Sequence, residues 1–351
     1  PMNARRAGLV AALLLAALPG AAQERGFAGL GGDTAGYALP NPARGLTFPR
    51  DHGPHGDFRI EWWYLTANLR GEDGRDYGVQ WTLFRSALAP KGPLQGWAAP
   101  QAWMAHAAAT SPEEHHFAER FGRGGIGQAG ITAAPFAAWI DDWQMAAPEG
   151  AAGIDRLRVT ARGGDFGYDL SATAHGPLVA HGRNGFSVKS ASGQASHYYS
   201  QPFYDIEGTL ALPGGEVKVA GQAWLDREWS SQPLDRSQRG WDWIALHLDD
   251  GRKLMAAQVR GDAPFLFGSL IAPDGTVQPL RQGDLMLDAG RGSPPTRWQV
   301  RVPGAGIDVT IDAVNPDSSM ATSVPYWEGP VTVEGSSKGR GYLEMTGYPA
   351  R

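Results

Sequence analysis

FPRDHGPHGDFRIEWWYLTANLRGEDGRDYGVQWTLFR, running from Phe48 to Arg85, consists of two alternating arms around a glycine-acid turn. In the first arm Phe58, Ile60, Trp62 and Tyr64 fall on one face of an extended strand, with Glu61, Trp63 and Leu65 on the other. In the second, Tyr77, Val79, Trp81 and Leu83 oppose Gln80, Thr82 and Phe84. Two such runs joined at Gly71-Glu72-Asp73-Gly74 read as a β-hairpin. Both faces carry large side chains, so neither is an ordinary solvent face. That pattern suits a barrel wall that packs on its outer side and lines a ligand cavity on its inner side.

The rest of the chain repeats the pattern. Hairpins are expected over Ala102–Thr110 with His116–Phe121, over Leu157–Ala161 with Phe166–Ala174, and over Tyr198–Leu212 with Glu216–Trp229. Ser230 to Arg239 is polar and aperiodic and is the best linker candidate. A second strand series follows, from Trp241–Leu248 to Gly341–Thr346, with strong turns at Asp249-Asp250-Gly251 and Pro273-Asp274-Gly275. The 48 glycines and 26 prolines make up about a fifth of the 351 residues, and no window reads as an amphipathic helix. The fold class is therefore all-β, with two antiparallel barrels or barrel-like sandwiches in tandem.

The N-terminus has the layout of an export signal. Arg5-Arg6 precedes the apolar run Ala7–Leu18, and Gly20-Ala21-Ala22 offers a small-residue cleavage site. The apolar run is too short for a bilayer that needs about 20 residues. Cleavage after Ala22 is expected, and with it a periplasmic or secreted location. Residues 23–47 read as an irregular lead-in, 48–232 as an N-terminal domain and 233–351 as a C-terminal one. The chain has no cysteine, so it has neither a disulfide nor a lipoprotein acylation site. A formal charge of −5 with no basic block argues against nucleic acid as a partner.

Two short motifs match catalytic patterns without the setting those patterns need, and one histidine pair lacks metal-ligand spacing. Gly122-Arg123-Gly124-Gly125-Ile126-Gly127 resembles a dinucleotide fingerprint but is followed by no helix. Gly335-Ser336-Ser337-Lys338-Gly339 resembles a nucleophile elbow but lies between two strands. His115-His116 points to opposite strand faces, so no metal site and no cofactor are expected.

Acidic-aromatic strands carry more information. Trp224, Asp226 and Glu228 share one strand face, opposite Leu225, Arg227 and Trp229. Asp242 lies between Trp241 and Trp243, and Tyr326-Trp327-Glu328 repeats the idea. Such acids either sit in ion pairs at barrel mouths or face an apolar cavity. In the second case desolvation raises the carboxyl pKa and makes it a proton donor.

On FPRDHGPHGDFRIEWWY (Phe48–Tyr64), SHYYS (Ser196–Ser200), GQAWLDREWSSQ (Gly221–Gln232), GWDWIALHLDDG (Gly240–Gly251) and YWEGPVTVEG with GRGYLEMTGY (Tyr326–Gly335, Gly339–Tyr348), the chain resembles the AttH-like exported proteins. That family is related to the carotenoid 1,2-hydratases (hydroxyneurosporene synthases) and, more remotely, to fungal lipocalin-like Diels–Alderases. The resemblance implies two tandem lipocalin-like antiparallel β-barrels, the first ending near Gln232. Its members are often labelled secreted hydrolase or carotenoid hydratase, and bacterial ones often accompany an ABC-type permease. Carotenoid hydratases carry a histidine in the strand that here reads Asp226-Arg227-Glu228-Trp229. Only Asp226 and Trp229 match the shared pattern.

Three functions are consistent with these features. The first is binding of an elongated hydrophobic ligand, a lipid or isoprenoid, between or within the barrels. The second is a cofactor-free hydratase or hydrolase with Asp226 or Asp242 as acid and Glu61 and His52 in support. The third is a structural accessory to an export permease. The aromatic residues offered to a ligand are Trp62, Trp63, Tyr64, Trp81, Tyr199, Trp224, Trp229, Trp241, Trp243 and Trp327.

Overall fold

A computed structural model describes residue 30, residues 32–93 and residues 95–348. The expected signal segment and its cleavage site lie outside the described residues. The described part of the lead-in, from residue 32 to 47, forms neither strand nor helix. It is fastened to the first barrel by the Tyr37 hydroxyl, which donates to the Ala87 carbonyl at 3.0 Å.

The strands begin with a meander: β1 (Ile60–Gly71), β2 (Asp76–Ala87), β3 (Gln101–Thr110) and β4 (His115–Arg123). Five shorter ones follow, β5 (Ala129–Ala133), β6 (Phe136–Ile140), β7 (Trp143–Ala146), β8 (Arg156–Arg162) and β9 (Gly167–Ala174). Then come β10 (Val179–Ala180), β11 (Phe186–Val188) and the long pair β12 (Ala195–Leu212) and β13 (Gly215–Ser230). Together they form one 13-stranded sheet in which β1 sits between β2 and β13. The second sheet has 10 strands. These are β14 (Gly240–Leu248), β15 (Lys253–Arg260), β16 (Phe265–Ile271), β17 (Val277–Leu280), β18 (Met286–Ala289), β19 (Arg297–Val302), β20 (Ile307–Ala313), β21 (Ser319–Met320), β22 (Tyr326–Gly335) and β23 (Gly339–Thr346). Both sheets are antiparallel and curl into near-closed, barrel-like units, as expected of an all-β chain. Among the described residues the helical turns are two 3-10 turns, Arg50–His52 and Pro303–Ala305.

The expected hairpin is the β1–β2 pair, in register from Ile60 opposite Ser86 to Arg70 opposite Asp76. The strands of the hairpin alternate as read, but the use of the two faces is reversed. The inner face, with Trp63, Leu65, Val79, Trp81 and Leu83, is packed solid with Trp103, Trp143 and Trp229. The outer face, with Trp62 and Tyr64, lies against the second sheet, where Trp224, Tyr198, Trp243 and Tyr342 form a shared apolar layer. Aromatic volume fills the barrel to interior density. The room for a ligand is therefore left at the seam between the sheets. The linker candidate is also less exposed than its composition suggests: Ser231 and Leu234 are buried, and Gln238 donates to the Lys189 carbonyl at 3.0 Å.

Candidate active site

Period-two alternation on β13 sends Trp224, Asp226 and Glu228 out of the first barrel toward the seam. The β1 partner of Asp226 is Tyr64 and that of Glu228 is Trp62. On the other side Ser200 of β12 pairs with Asp226 and Tyr198 with Glu228. The second sheet supplies Trp241 and Trp243 from β14, Tyr326 and Glu328 from β22, and Glu344 from β23. Trp243 and Glu328 both stand opposite Glu344 in their ladders. Between these walls lies a cavity of about 400 Å³. Asp226, Glu228, Glu344, Tyr64, Tyr198 and Lys189 mark its polar end. Ile60, Trp62, Phe84, Met104, Leu234, Trp241, Val259 and Phe267 are among its apolar walls. Phe121, 58% exposed, marks its rim.

Four carboxyl groups thus meet within one seam, Asp226, Glu228 and Glu328 buried and Glu344 partly buried. Burial is the main force raising Asp226 to about 7; bonds from Ser200, Tyr198 and Trp224 oppose it, and the charge of Glu228 adds to it. Tyr198 donates to Asp226 Oδ2 at 2.7 Å, and Trp224 Nε1 to Oδ1 at 2.7 Å. Glu344 rises to about 7 for the same first reason, against a bond from Trp241 Nε1 and with the charges of Asp226 and Glu228 adding. Glu328 is pushed well above the carboxylate range by burial and then by Glu344, while the Tyr64 hydroxyl donates to it. Like charges directly opposite in a sheet repel, so protonation relieves the β22–β23 pair. Glu228 has a counter-ion, with Lys189 Nζ at 3.0 Å. The ammonium also lies 4.5 Å from the Tyr198 ring centroid. The site can therefore hold acids in their proton-bearing form beside an apolar space.

Of the four acid-base candidates read from the sequence, Asp226 lines this cavity. Asp242 does not: it turns to the interior side of β14 and pairs with Arg260 at 3.0 Å. Burial still lifts it to about 6, against Arg260. Glu61 lies inside the first barrel, bonded to Arg85 and Arg227 and contacted by His55. Burial pushes it up, but the two guanidiniums outweigh burial and hold it well below the usual carboxylate range. His52 is also inside that barrel, with Nδ1 2.6 Å from the Tyr199 hydroxyl, and burial lowers it to about 4. Glu61 and His52 are thus parts of the barrel's polar plug, with no face on the cavity.

The aromatic candidates divide the same way. Trp62, Tyr64, Trp241 and Trp243 line the cavity, and Trp224 packs directly behind Asp226. Trp63, Trp81, Tyr199 and Trp229 belong to the first barrel's core and Trp327 to the second's. They fill interiors and do not meet a ligand in this cavity. Glu344, Tyr198 and Lys189 escaped the sequence reading. Glu344 had a signal, since Tyr342, Glu344 and Thr346 alternate with Leu343 and Met345. Lys189, in a short loop, had none.

A model of the AttH-like family matches residues 39–348. The chain belongs to the AttH-like family. The crystal structure of an AttH protein from Nitrosomonas europaea superposes with a TM-score of 0.78 at 33% identity, covering 89% of this chain and 100% of that one. Kievitone hydratase from Nectria haematococca shares the fold, with a TM-score of 0.69 at 15% identity over 88% of this chain and 95% of that one. No curated protein sequence matches the chain.

Proposed function

We propose that this AttH-like chain is a cofactor-free hydratase that adds water across a carbon–carbon double bond of an apolar substrate held between the two sheets. The observation that carries this is the placement of Asp226 and Glu344 together on the wall of an apolar cavity, where burial raises both to about 7. A site that only holds hydrocarbon gains nothing from buried carboxyls, whose desolvation costs stability. The kievitone hydratase likeness supports the fold; the chemistry rests on the acids.

In the reaction Asp226 gives its proton to one alkene carbon, and the C–C π pair forms the new C–H bond. The neighbouring carbon becomes cationic beside the indole faces of Trp62, Trp241 and Trp243, which favour positive charge. Water supplies an electron pair to that carbon and loses a proton to a carboxylate, Glu344 or the ionised Asp226. The net change is addition of H and OH. The cavity volume lies in the range of small-molecule sites, enough for a prenyl-sized apolar group.

The test uses geranylgeraniol and a prenylated isoflavone as probes in ¹⁸O-labelled water, with product read by mass spectrometry. Labelled alcohol is expected from wild type, with a 10²–10⁴-fold loss on Asp226→Asn, roughly the contribution of a general acid. The rate should fall as pH rises through about 7, where Asp226 loses its proton. The coupled acids set that limb together. Probes that bind with full affinity and are returned unlabelled would sink the enzyme and leave a binding site.

A further inference from the structure

Behind Asp226, on the side away from the cavity space, a chain of hydrogen bonds crosses from one sheet to the other. His181 follows β10 and is fully buried. Its Nε2 lies 2.6 Å from Ser200 Oγ, and its Nδ1 lies 2.9 Å from Ser269 Oγ of β16 in the second sheet. Ser200 Oγ in turn donates to Asp226 Oδ1. The imidazole also packs on Tyr198, with ring centroids 4.1 Å apart, and Tyr198 donates to the other oxygen of Asp226. None of His181, Ser200 and Ser269 lines the cavity. The three are therefore placed to act on Asp226 without touching a ligand.

We propose that His181 is a positioning residue for Asp226, acting through Ser200: it sets the direction of the Ser200 hydroxyl and anchors it to the second sheet at Ser269. A neutral imidazole has one N–H and one bare nitrogen. Burial, helped by the Lys189 cation, holds His181 down to about 3, so the ring is neutral across the working range. When Asp226 is ionised, Ser200 donates to it, Nε2–H donates to Ser200, and Ser269 donates to bare Nδ1. When Asp226 carries its proton on Oδ1, all three bonds can reverse, with the hydrogen moved to Nδ1. Each direction leaves every member satisfied, which a lone serine facing a buried carboxyl would not be. The relay thus has a satisfied arrangement for the ionised acid and for the resting acid with its proton on Oδ1, a bond that is given up when the proton is delivered to the cavity.

This inference rests on the reading of Asp226 as the acid, but its test does not need turnover. The groups facing Asp226 are Tyr198 on β12, Glu228 on its own strand, Tyr64 on β1, Glu344 on β23, and Lys189 beyond Glu228. All stay in place in the variants. The Asp226 carboxyl carbon is followed by NMR in ¹³C-aspartate-labelled full-length protein, its signal identified by loss in Asp226→Asn. Ser200→Ala removes a donor to the carboxylate and should raise the titration midpoint by about half a unit or more. His181→Phe should move it in the same direction, and the double variant no further than Ser200→Ala alone. His181→Gln, which restores an N–H toward Ser200, should sit near wild type. Should His181→Phe fail to fold, Ser269→Ala cuts the chain at its far end and is expected to shift the midpoint the same way by less. An unmoved midpoint in His181→Phe or Ser269→Ala, or additive shifts in the double variant, overturns the relay. Shifts as expected without hydration by wild type uphold the relay and sink the hydratase. Hydration with an unmoved midpoint does the reverse.

Discussion

Asp226, Arg227 and Glu228 are consecutive, yet they live in different solvents. Asp226 and Glu228 face the seam, while Arg227 enters the first barrel, its guanidinium 3.8 Å from the Trp63 ring centroid and bonded to Glu61. In a strand, neighbours point to opposite faces, so one short run serves both the cavity and the barrel's ionic plug. The plug contains Glu61, Arg85, Arg227 and His55, the last stacked on Trp229 at 3.9 Å. Neutralising Glu61 leaves two guanidiniums buried without their counter-ion. Glu61→Gln is therefore expected to cost about 3–5 kcal/mol in urea unfolding, as breaking a buried pair does. The Asp226 titration should hardly move, because Glu61 lies on the opposite face of the sheet. A large shift at Asp226 would mean that the plug and the cavity acids are one network.

At the scale of the strand, period two made the partition of side chains legible: the faces read for β1, β2 and β13 are the faces observed. Which face is inside was not legible, because both are aromatic and both are buried. The pattern carries no term for a second sheet arriving from far along the chain. Tyr64 finds Glu328 264 residues away and His181 finds Ser269 88 residues away, and no local spacing signals such pairs. Asp242 shows the same limit from the other side. Its indole neighbours do line the cavity, and alternation alone turns the acid away from them. The close approach of the sheets also depends on a position that looked incidental. A Cβ on Gly78 of β2 would lie 2.6 Å from Pro330 Cγ on β22. Gly78→Val should therefore force the sheets apart at that point, at a cost of about 1–3 kcal/mol in thermal or urea unfolding. Full wild-type stability in that variant would show that the seam gives way cheaply.

For the whole molecule, the buried charges make stability depend on pH in a way that the site itself predicts. Five histidines, His52, His115, His181, His197 and His247, are held by burial at about 3 to 4. The unfolded chain binds their protons near 6.5, so they contribute stability that is lost as pH falls below that value. Glu61 and Asp51 have folded values depressed by their partners, and their contribution is lost at still lower pH. The cavity acids have the opposite sign. Asp226 and Glu344 keep their protons up to about 7 in the fold, and Glu328 beyond that, whereas the unfolded chain releases them near 4. Between about 4 and 6.5 the two groups oppose each other. Above that range the histidine contribution is complete and no longer changes with pH, and the acids alone set the slope, so stability should decline from pH 6.5 to 8. The double variant Asp226→Asn, Glu344→Gln should flatten that decline when melting temperature is followed across the interval. A wild-type curve that rises over the same range would mean that the seam ionises without penalty, and a proton donor at neutral pH would then have no physical basis here. An apolar ligand in the cavity should deepen the slope, since it removes water that would otherwise solvate the carboxylates. Its affinity should weaken as pH rises through about 7 by the same linkage.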